Sequence, residues 1–302
     1  MKKYLSVITL LFAICFAFTA CGGNGSTNTA GGNPSGEGRF DASRSISIVA
    51  REDGSGTKTA FMEIIGLKGK ADPASVIIQT GTAGVLTEVK GNPYAIAYES
   101  LGYVTDEVKK LLIDGVEASV ANIQNGSYQI SRPLSVVYQE SSLLDPVNKA
   151  FFDFLMSKDA QEIIAEEAYV SLVASAPAYI INGALSGSID ISGSTSLQPL
   201  MTELAMVFEN LQPNISVTVG GGGSGTGYGN ANDGVSAFGM ISEEFSLDKA
   251  PACTYYTVCK DGIAVIVHLD NPLNSITMDD LRGIYDVDAG DEARSSWEAL
   301  AR

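Results

Sequence analysis

The tetrapeptide Gly-Ser-Gly-Thr occurs twice in this chain, at residues 54–57 and 223–226, each time between a run that alternates like a strand and a run with helical spacing. A flexible spacer has no reason to repeat its tetrapeptide in that setting. A third turn of the same layout, Gly193-Ser194-Thr195-Ser196, follows the strand-like SIDIS and precedes LQPLMTELAMVFENL, where Leu197, Leu200, Met201, Leu204, Val207, Phe208 and Leu211 form one stripe. The unit strand, glycine turn, helix therefore recurs. It restricts the chain to an α/β architecture in which strands alternate with helices.

Such a turn has a specific chemical use. Glycine lets successive N–H groups converge, and the helix that follows offers unpaired N–H groups and the positive end of its dipole. Serine and threonine hydroxyls add donors, and Arg51, three residues before Gly54, adds a full charge on a planar fork suited to oxygen pairs. Taken singly, each turn is more often a plain turn with a helix cap than a ligand contact. Three of them beside an arginine point to an oxyanion.

The remaining chain reads as follows. The fold starts near Ser45, residues 45–50 are a strand, and KTAFMEIIGL is a helix carrying Phe61, Ile64 and Ile65 on one face. VIIQT, YAIAYESLGYV and the apolar stretch around 117–123 are strand-like, and DEVKKLLIDG at 106–115 is helical. SRPLSVVYQ is a strand, and the helix from Asp145 to Glu167 breaks near Ser157. Residues 175–188 are a connection, ISVTV and VSAFGMIS are strands, DGIAVIVHL is a continuous buried strand, and TMDDLRGIYD is a helix.

The first 20 residues have the form of a secretory signal: Lys2 and Lys3, an apolar run from Leu5 to Phe18, then Thr19-Ala20 before Cys21. The run is too short for the ~20 residues that span a bilayer, so cleavage before Cys21 is the expectation. Cys21 and the Gly/Ser/Asn-rich residues after it resemble the lipidation site and tether of a bacterial lipoprotein, with the tether over 21–44. The mature body would then sit on the outer face of the cytoplasmic membrane, attached through lipid alone.

Without Lys2 and Lys3 the chain keeps 17 basic against 35 acidic residues, a formal charge of −18 with no basic cluster. Nucleic acid is excluded as a partner, because its binding rests on lysine and arginine neutralising phosphates. An anion must be held by oriented local donors instead. Cys253 and Cys259 lie six residues apart in a strand-like segment, about 20 Å if extended, and are expected as two buried thiols and not a disulfide.

Enzymatic readings are weaker. Ser55 to Lys58 satisfies Ser-x-x-Lys of serine acylases without the companion motifs, which leaves an exported serine hydrolase as the alternative of another class. The run 220–225 meets a dinucleotide-binding pattern trivially, because it is nearly all glycine. The single histidine, His268, lies in an apolar strand and reads as structural; no metal and no cofactor is expected.

Residues 191–234 and 261–285 with Trp297 resemble the amino-terminal part of the phosphate-binding lipoproteins of high-affinity phosphate ABC transporters. IVAREDGSGTKTAF, YAIAYESLGYV, YQISRPL and FFDFLMSKDAQEII are similar to their carboxy-terminal part. The order is reversed relative to the family, so the resemblance implies a circular permutation in which SLVASAPAYIINGALSGS joins the former ends. It implies a two-lobed periplasmic-binding-protein type II fold with the ligand cleft between lobes: a split lobe of residues 45–129 plus 251–302 and a contiguous lobe of 130–250.

By the same resemblance Arg51 pairs with phosphate oxygens and Asp53 orients that arginine. Ser55, Gly56, Thr57, Thr195, Ser196, Ser224 and Ser242 donate to the anion. Glu243 stands where many family members have arginine, which opens selectivity against sulfate to question; it either supplies an acceptor for the proton of hydrogen phosphate or repels anions at the rim. The implied function is capture of inorganic phosphate by a monomer for the permease subunits of an ABC importer. Another oxyanion, a phosphate sensor, or a surface protein that has lost the ligand are the alternatives.

Overall fold

A computed structural model describes residues 40–173 and 175–300. The expected signal, Cys21 and most of the tether lie outside them. Among the described residues no helix is long and apolar enough to cross a membrane.

The first glycine turn sits inside a βαβαβ unit: β1 (Ser47–Arg51), α1 (Gly56–Ile64), β2 (Ile77–Gln79), α2 (Gly81–Gly91) and β3 (Ala95–Ser100). Short strands β4 (Lys109–Lys110) and β5 (Leu112–Ile113) and helix α3 (Val120–Gln124) lead to β6 (Ser131–Tyr138). Helices α4 (Pro146–Leu155) and α5 (Lys158–Glu166) follow. Asp145 caps the first through the N–H of Val147 at 2.7 Å, and Ser157 breaks the pair where the spacing predicts it, capping the second through Ala160.

A second βαβαβ unit repeats the first: β7 (Gly187–Gly193), α6 (Gln198–Leu211), β8 (Ile215–Gly222), α7 (Ser224–Asn232) and β9 (Phe238–Ile241). The long strand β10 (Thr254–Val267), then β11 (Ser275–Ile276) and α8 (Met278–Tyr285) complete the fold. One sheet runs in the order β2-β1-β3-β10-β6-β9-β7-β8, with β4 added beside β10. Its flanks are the parallel triplets β2-β1-β3 and β8-β7-β9, equivalent in order. Between them β10 and β6 run antiparallel to each other and to their neighbours, so the chain changes triplets across a shared centre.

Two hydrophobic clusters lie under the two triplets. One gathers Phe61, Tyr98 and Tyr285, with the first two rings stacked at 3.9 Å. The other gathers Phe151, Phe154, Phe208 and Phe238. Each such ring contributes about 1.5–3 kcal/mol by burial. Strand β10 belongs to both, through Val258 and Cys259 in the second and Ile263 to Val267 in the first. Cys253 and Cys259 are free and buried, as the extended spacing predicts.

Three readings change. Residues 106–115 form no helix: Lys109 and Lys110 pair with Val267 and Ile266 of β10, Leu112 and Ile113 pair with β11, and the chain turns at Asp114-Gly115, both with positive φ. The stretch at 117–123 is not a strand, because the hydroxyl of Ser119 caps a helix through Asn122 N–H at 3.3 Å. Residues 40–44, read as part of the tether, pack on the body: Phe40 lies against Tyr94 and Trp297, and the guanidinium of Arg44 lies 4.5 Å over the Tyr94 ring.

Helix α7 packs on β9 through glycines. A Cβ on Gly227 would collide with the Met240 carbonyl, whereas one on Gly229 meets open space. Gly227→Ala is expected to destabilise by about 1–3 kcal/mol and Gly229→Ala to stabilise by about 0.4–1 kcal/mol, read as opposite shifts of the urea midpoint.

Candidate functional site

In a parallel sheet the carboxyl ends of the strands face the starts of the helices that follow, and the crevice where strand order reverses is where ligands bind. Both triplets have such a point, and here they face each other. Helices α1, α2, α6 and α7 all begin there, and none carries an acidic residue in its first turn. Their first-turn N–H groups have no partners within the helices, and the positive dipole ends meet with no fixed negative charge in those turns.

The turns approach each other closely. Gly225 N–H donates to the Gly54 carbonyl at 3.0 Å, and the Thr57 and Ser196 hydroxyls are 2.8 Å apart. The Ser242 N–H donates to Ser224 Oγ at 3.0 Å, with the two hydroxyl oxygens at 3.3 Å. A Cβ on Gly56 would strike both Ser224 and Ser242 Oγ, so a side chain there would force these hydroxyls apart. Gly54 and Gly223 have φ of 84° and 85°, the left-handed conformation that glycine adopts without strain, and each opens its turn.

Arg51 ends β1 and is 1% exposed. Its Nη2 donates to Thr195 Oγ1 at 3.0 Å, its Nη1 to Thr82 Oγ1 at 3.4 Å, and the two threonine hydroxyls are 3.2 Å apart. Two carboxylates balance it: Glu52, which accepts from Nε and Nη2 at 3.0 Å each, and Glu99, 3.3 Å from Nη1 on the neighbouring strand. Burial works against the arginine's charge, but the Glu52 bonds and both negative charges outweigh it and raise its pKa above the ordinary value. For Glu52, burial pushes upward and the Arg51 hydrogen bond and charge, with the Gly81 N–H, bring the pKa below its ordinary value.

The arrangement gathers Arg51, Gly56, Thr57, Thr195, Ser196, Ser224 and Ser242. It separates Asp53 from its anticipated role. Asp53 does not orient Arg51: its side chain is 99% exposed and pairs with Lys58 Nζ at 2.7 Å, because the chain turns outward at Asp53 while the adjacent Glu52 folds back along β1. The hydroxyl of Ser55 caps α1, accepting from Lys58 N–H at 3.4 Å, and keeps its own O–H as a donor. Lys58 Nζ is held between Asp53 and Asp72; although burial opposes its charge, the two carboxylates raise its pKa, which leaves it no use as a base for Ser55. Glu243 is buried and paired with Lys249 at 2.8 Å, which neutralises it. His268 follows β10 and accepts from Asp270 N–H at 3.1 Å.

Glu52, Thr82 and Glu99 were not anticipated. Glu99 is aligned with Arg51 because β1 and β3 run parallel with Ile48 opposite Ile96, a register that local sequence does not state. Thr82 had a weak signal, since Thr80-Gly81-Thr82 follows β2 as the other glycine turns follow their strands.

Comparison with known proteins gives a consistent picture. The model of a PBP superfamily domain matches residues 37–159 and 181–291. The phosphate-binding protein PstS 2 of Streptococcus pneumoniae is 33% identical over 281 residues, covering 91% of this chain and 96% of that protein. PstS 2 of Streptococcus agalactiae is 34% identical over 249 residues, covering 80% and 84%. A crystal structure of the phosphate-binding protein of a phosphate ABC transporter from S. pneumoniae matches with a TM-score of 0.66 and 31% identity, over 85% of this chain and 99% of that one.

Two outcomes test this geometry. A fluorophosphonate serine probe should leave Ser55 unlabelled, as read by peptide mass spectrometry. Because the pKa of Glu52 is depressed in the fold, its pairing stabilises above the ordinary value of 4.5 and is lost as pH falls through the lowered value. The thermal midpoint of Glu52→Gln should therefore lie below that of the unaltered protein at pH 7 and converge with it in acid.

Proposed function

We propose, for a chain that belongs to the PBP superfamily and within it to the phosphate-binding proteins, that it captures inorganic phosphate outside the cytoplasmic membrane and delivers it to the permease of an ABC importer. The observation that carries this reading is the meeting of four acid-free helix starts and the buried Arg51 with hydroxyls from both βαβαβ units. A tetrahedral anion accepts on every side, and that is the geometry these donors offer. Each hydrogen bond to a charged group contributes about 1.5–3 kcal/mol. Of the carboxylates beside Arg51, Glu52 keeps 23% of its side chain exposed and gives a protonated phosphate oxygen an acceptor that sulfate has no proton to use.

The two hydrophobic clusters are, in this reading, the cores of two lobes that close on the anion. Thr57 and Ser196, from different units, both reach it only when the lobes are together, so the ligand selects the closed state. No bond is made or broken, and the protein acts as a monomer tethered by lipid at Cys21.

The order of the segments is a circular permutation within the family, shared with the S. pneumoniae relative that aligns over 91% of this chain and 96% of its own length. One observation supports it. The ends of the described chain lie side by side, with Ser45 bridged to Ser296, Ile46 N–H on the Ser295 carbonyl at 2.9 Å, and Glu298 N–H on the Ala42 carbonyl at 2.7 Å. Ends so close let the chain be reopened elsewhere without moving the elements.

The test is calorimetric titration of residues 40–302 with phosphate and with sulfate, beside Arg51→Ala, Arg51→Lys and Gly56→Ala. Phosphate should bind the unaltered protein and bind Arg51→Ala about a hundredfold or more weaker, equivalent to about 3 kcal/mol. Arg51→Lys, which keeps the charge and loses the fork, and Gly56→Ala, which forces apart Ser224 and Ser242, should fall between. Binding of neither anion by folded protein overturns the reading, and a preference for sulfate reassigns the ligand.

A further inference from the structure

Behind Arg51 the polar contacts continue into the centre of the sheet. Glu99, which holds Arg51 Nη1 through Oε2, accepts the Ser100 N–H on Oε1 at 2.8 Å. The Ser100 hydroxyl donates to Asp261 Oδ2 at 2.7 Å. Arg132 donates to the same oxygen from Nη2 at 3.1 Å and, from Nη1, to the main-chain carbonyl of Ser242 at 3.0 Å. The path crosses β1, β3, β10 and β6 and ends at the turn after β9, joining the charged donor of one βαβαβ unit to a hydroxyl turn of the other. Glu99, Ser100, Asp261 and Arg132 are all at most 2% exposed.

Arg132 is costly to keep there. Removing a guanidinium and a carboxylate from water costs several kcal/mol per ion, and an apolar pair of similar volume is often as stable or more so. Burial raises the pKa of Asp261, opposed by the charge of Arg132 and the hydrogen bonds of Ser100 and Arg132, so the pair is held against its solvation preference. The Nε of Arg132 finds no partner among the described residues, a further cost that packing alone does not explain.

We propose that Arg132, held by Asp261, is a positioning residue for the anion site: its two Nη groups fix the Ser242 carbonyl against the central strands and thereby aim the Ser242 and Ser224 hydroxyls at the ligand. This rests on the phosphate-capture reading above. The role requires the planar fork, because one Nη must hold Asp261 while the other holds the carbonyl. A lysine retains the charge but cannot maintain both contacts in that geometry. Arg132 acts through Ser242 and through the charge it places under the site.

The experiment is phosphate calorimetry paired with urea unfolding on the unaltered protein, Arg132→Met, Arg132→Lys, and the double variant Arg132→Met with Asp261→Asn. Arg132→Met strands a buried carboxylate, so both stability and affinity should fall. The double variant removes both charges and leaves Ser100 an acceptor; its unfolding midpoint should recover while phosphate binds at least tenfold weaker than in the unaltered protein. Arg132→Lys should fold and also bind at least tenfold weaker. Recovery of affinity together with stability in the double variant, or unchanged affinity in Arg132→Lys, makes the pair merely structural and overturns the proposal. Failure of the unaltered protein to bind phosphate removes the capture reading and this inference together, whereas its tight binding beside unaffected variants removes this inference alone.

Discussion

A guanidinium with 1% of its surface exposed must be neutralised and hydrogen-bonded on every edge, and the centre of this fold is arranged around that requirement at Arg51. Glu52 takes one edge from the same strand, Glu99 reaches another from the neighbouring strand, and the Thr82 and Thr195 hydroxyls complete the outer side. One of those four groups, Thr195, comes from the second βαβαβ unit. Burying one arginine thus ties the two units together at the point where their helices begin.

The glycine turns are the counterpart of that charge. They bring main chain to main chain, as between Gly225 and Gly54, at a separation where a Cβ on Gly223 would lie 3.1 Å from the Gly54 carbonyl. The same closeness recurs in the packing of α7 on β9, where Gly227 lies against Met240. Helix starts that carry no acid can meet in this way because their N–H groups point into a shared space already supplied with hydroxyl oxygens. The overall charge of the chain is strongly negative, so the local donors, and not the global field, set what this space attracts.

The central strands make the arrangement one body. β10, at 14 residues, is long enough to pack in both hydrophobic clusters, and its antiparallel pairing with β6 carries Asp261 and Arg132 side by side. Any motion that parts the two triplets must bend or twist about these two strands. The polar chain from Glu99 to Ser242 crosses the same place.

Periodicity and turn chemistry were sufficient to locate the strand, glycine turn, helix units, the break at Ser157 and the two separate thiols, because each depends on residues adjacent in sequence. The same rules failed at 106–115, where the helical pattern yields to pairing with β10 and β11, partners more than 150 residues away. The family resemblance pointed to the wrong acid: Asp53 and Glu52 are neighbours, and only the direction in which β1 ends decides which one meets Arg51. Glu99, Arg132 and Asp261 became visible only with the register of β1, β3, β10 and β6. The sequence by itself determined the α/β alternation and the oxyanion chemistry of its turns, since these are local properties of glycine, hydroxyl and helix-start residues. The tertiary structure alone decided which carboxylates balance the buried arginines and how the two units share one site, because strand order and register are set by long-range packing that no short stretch encodes.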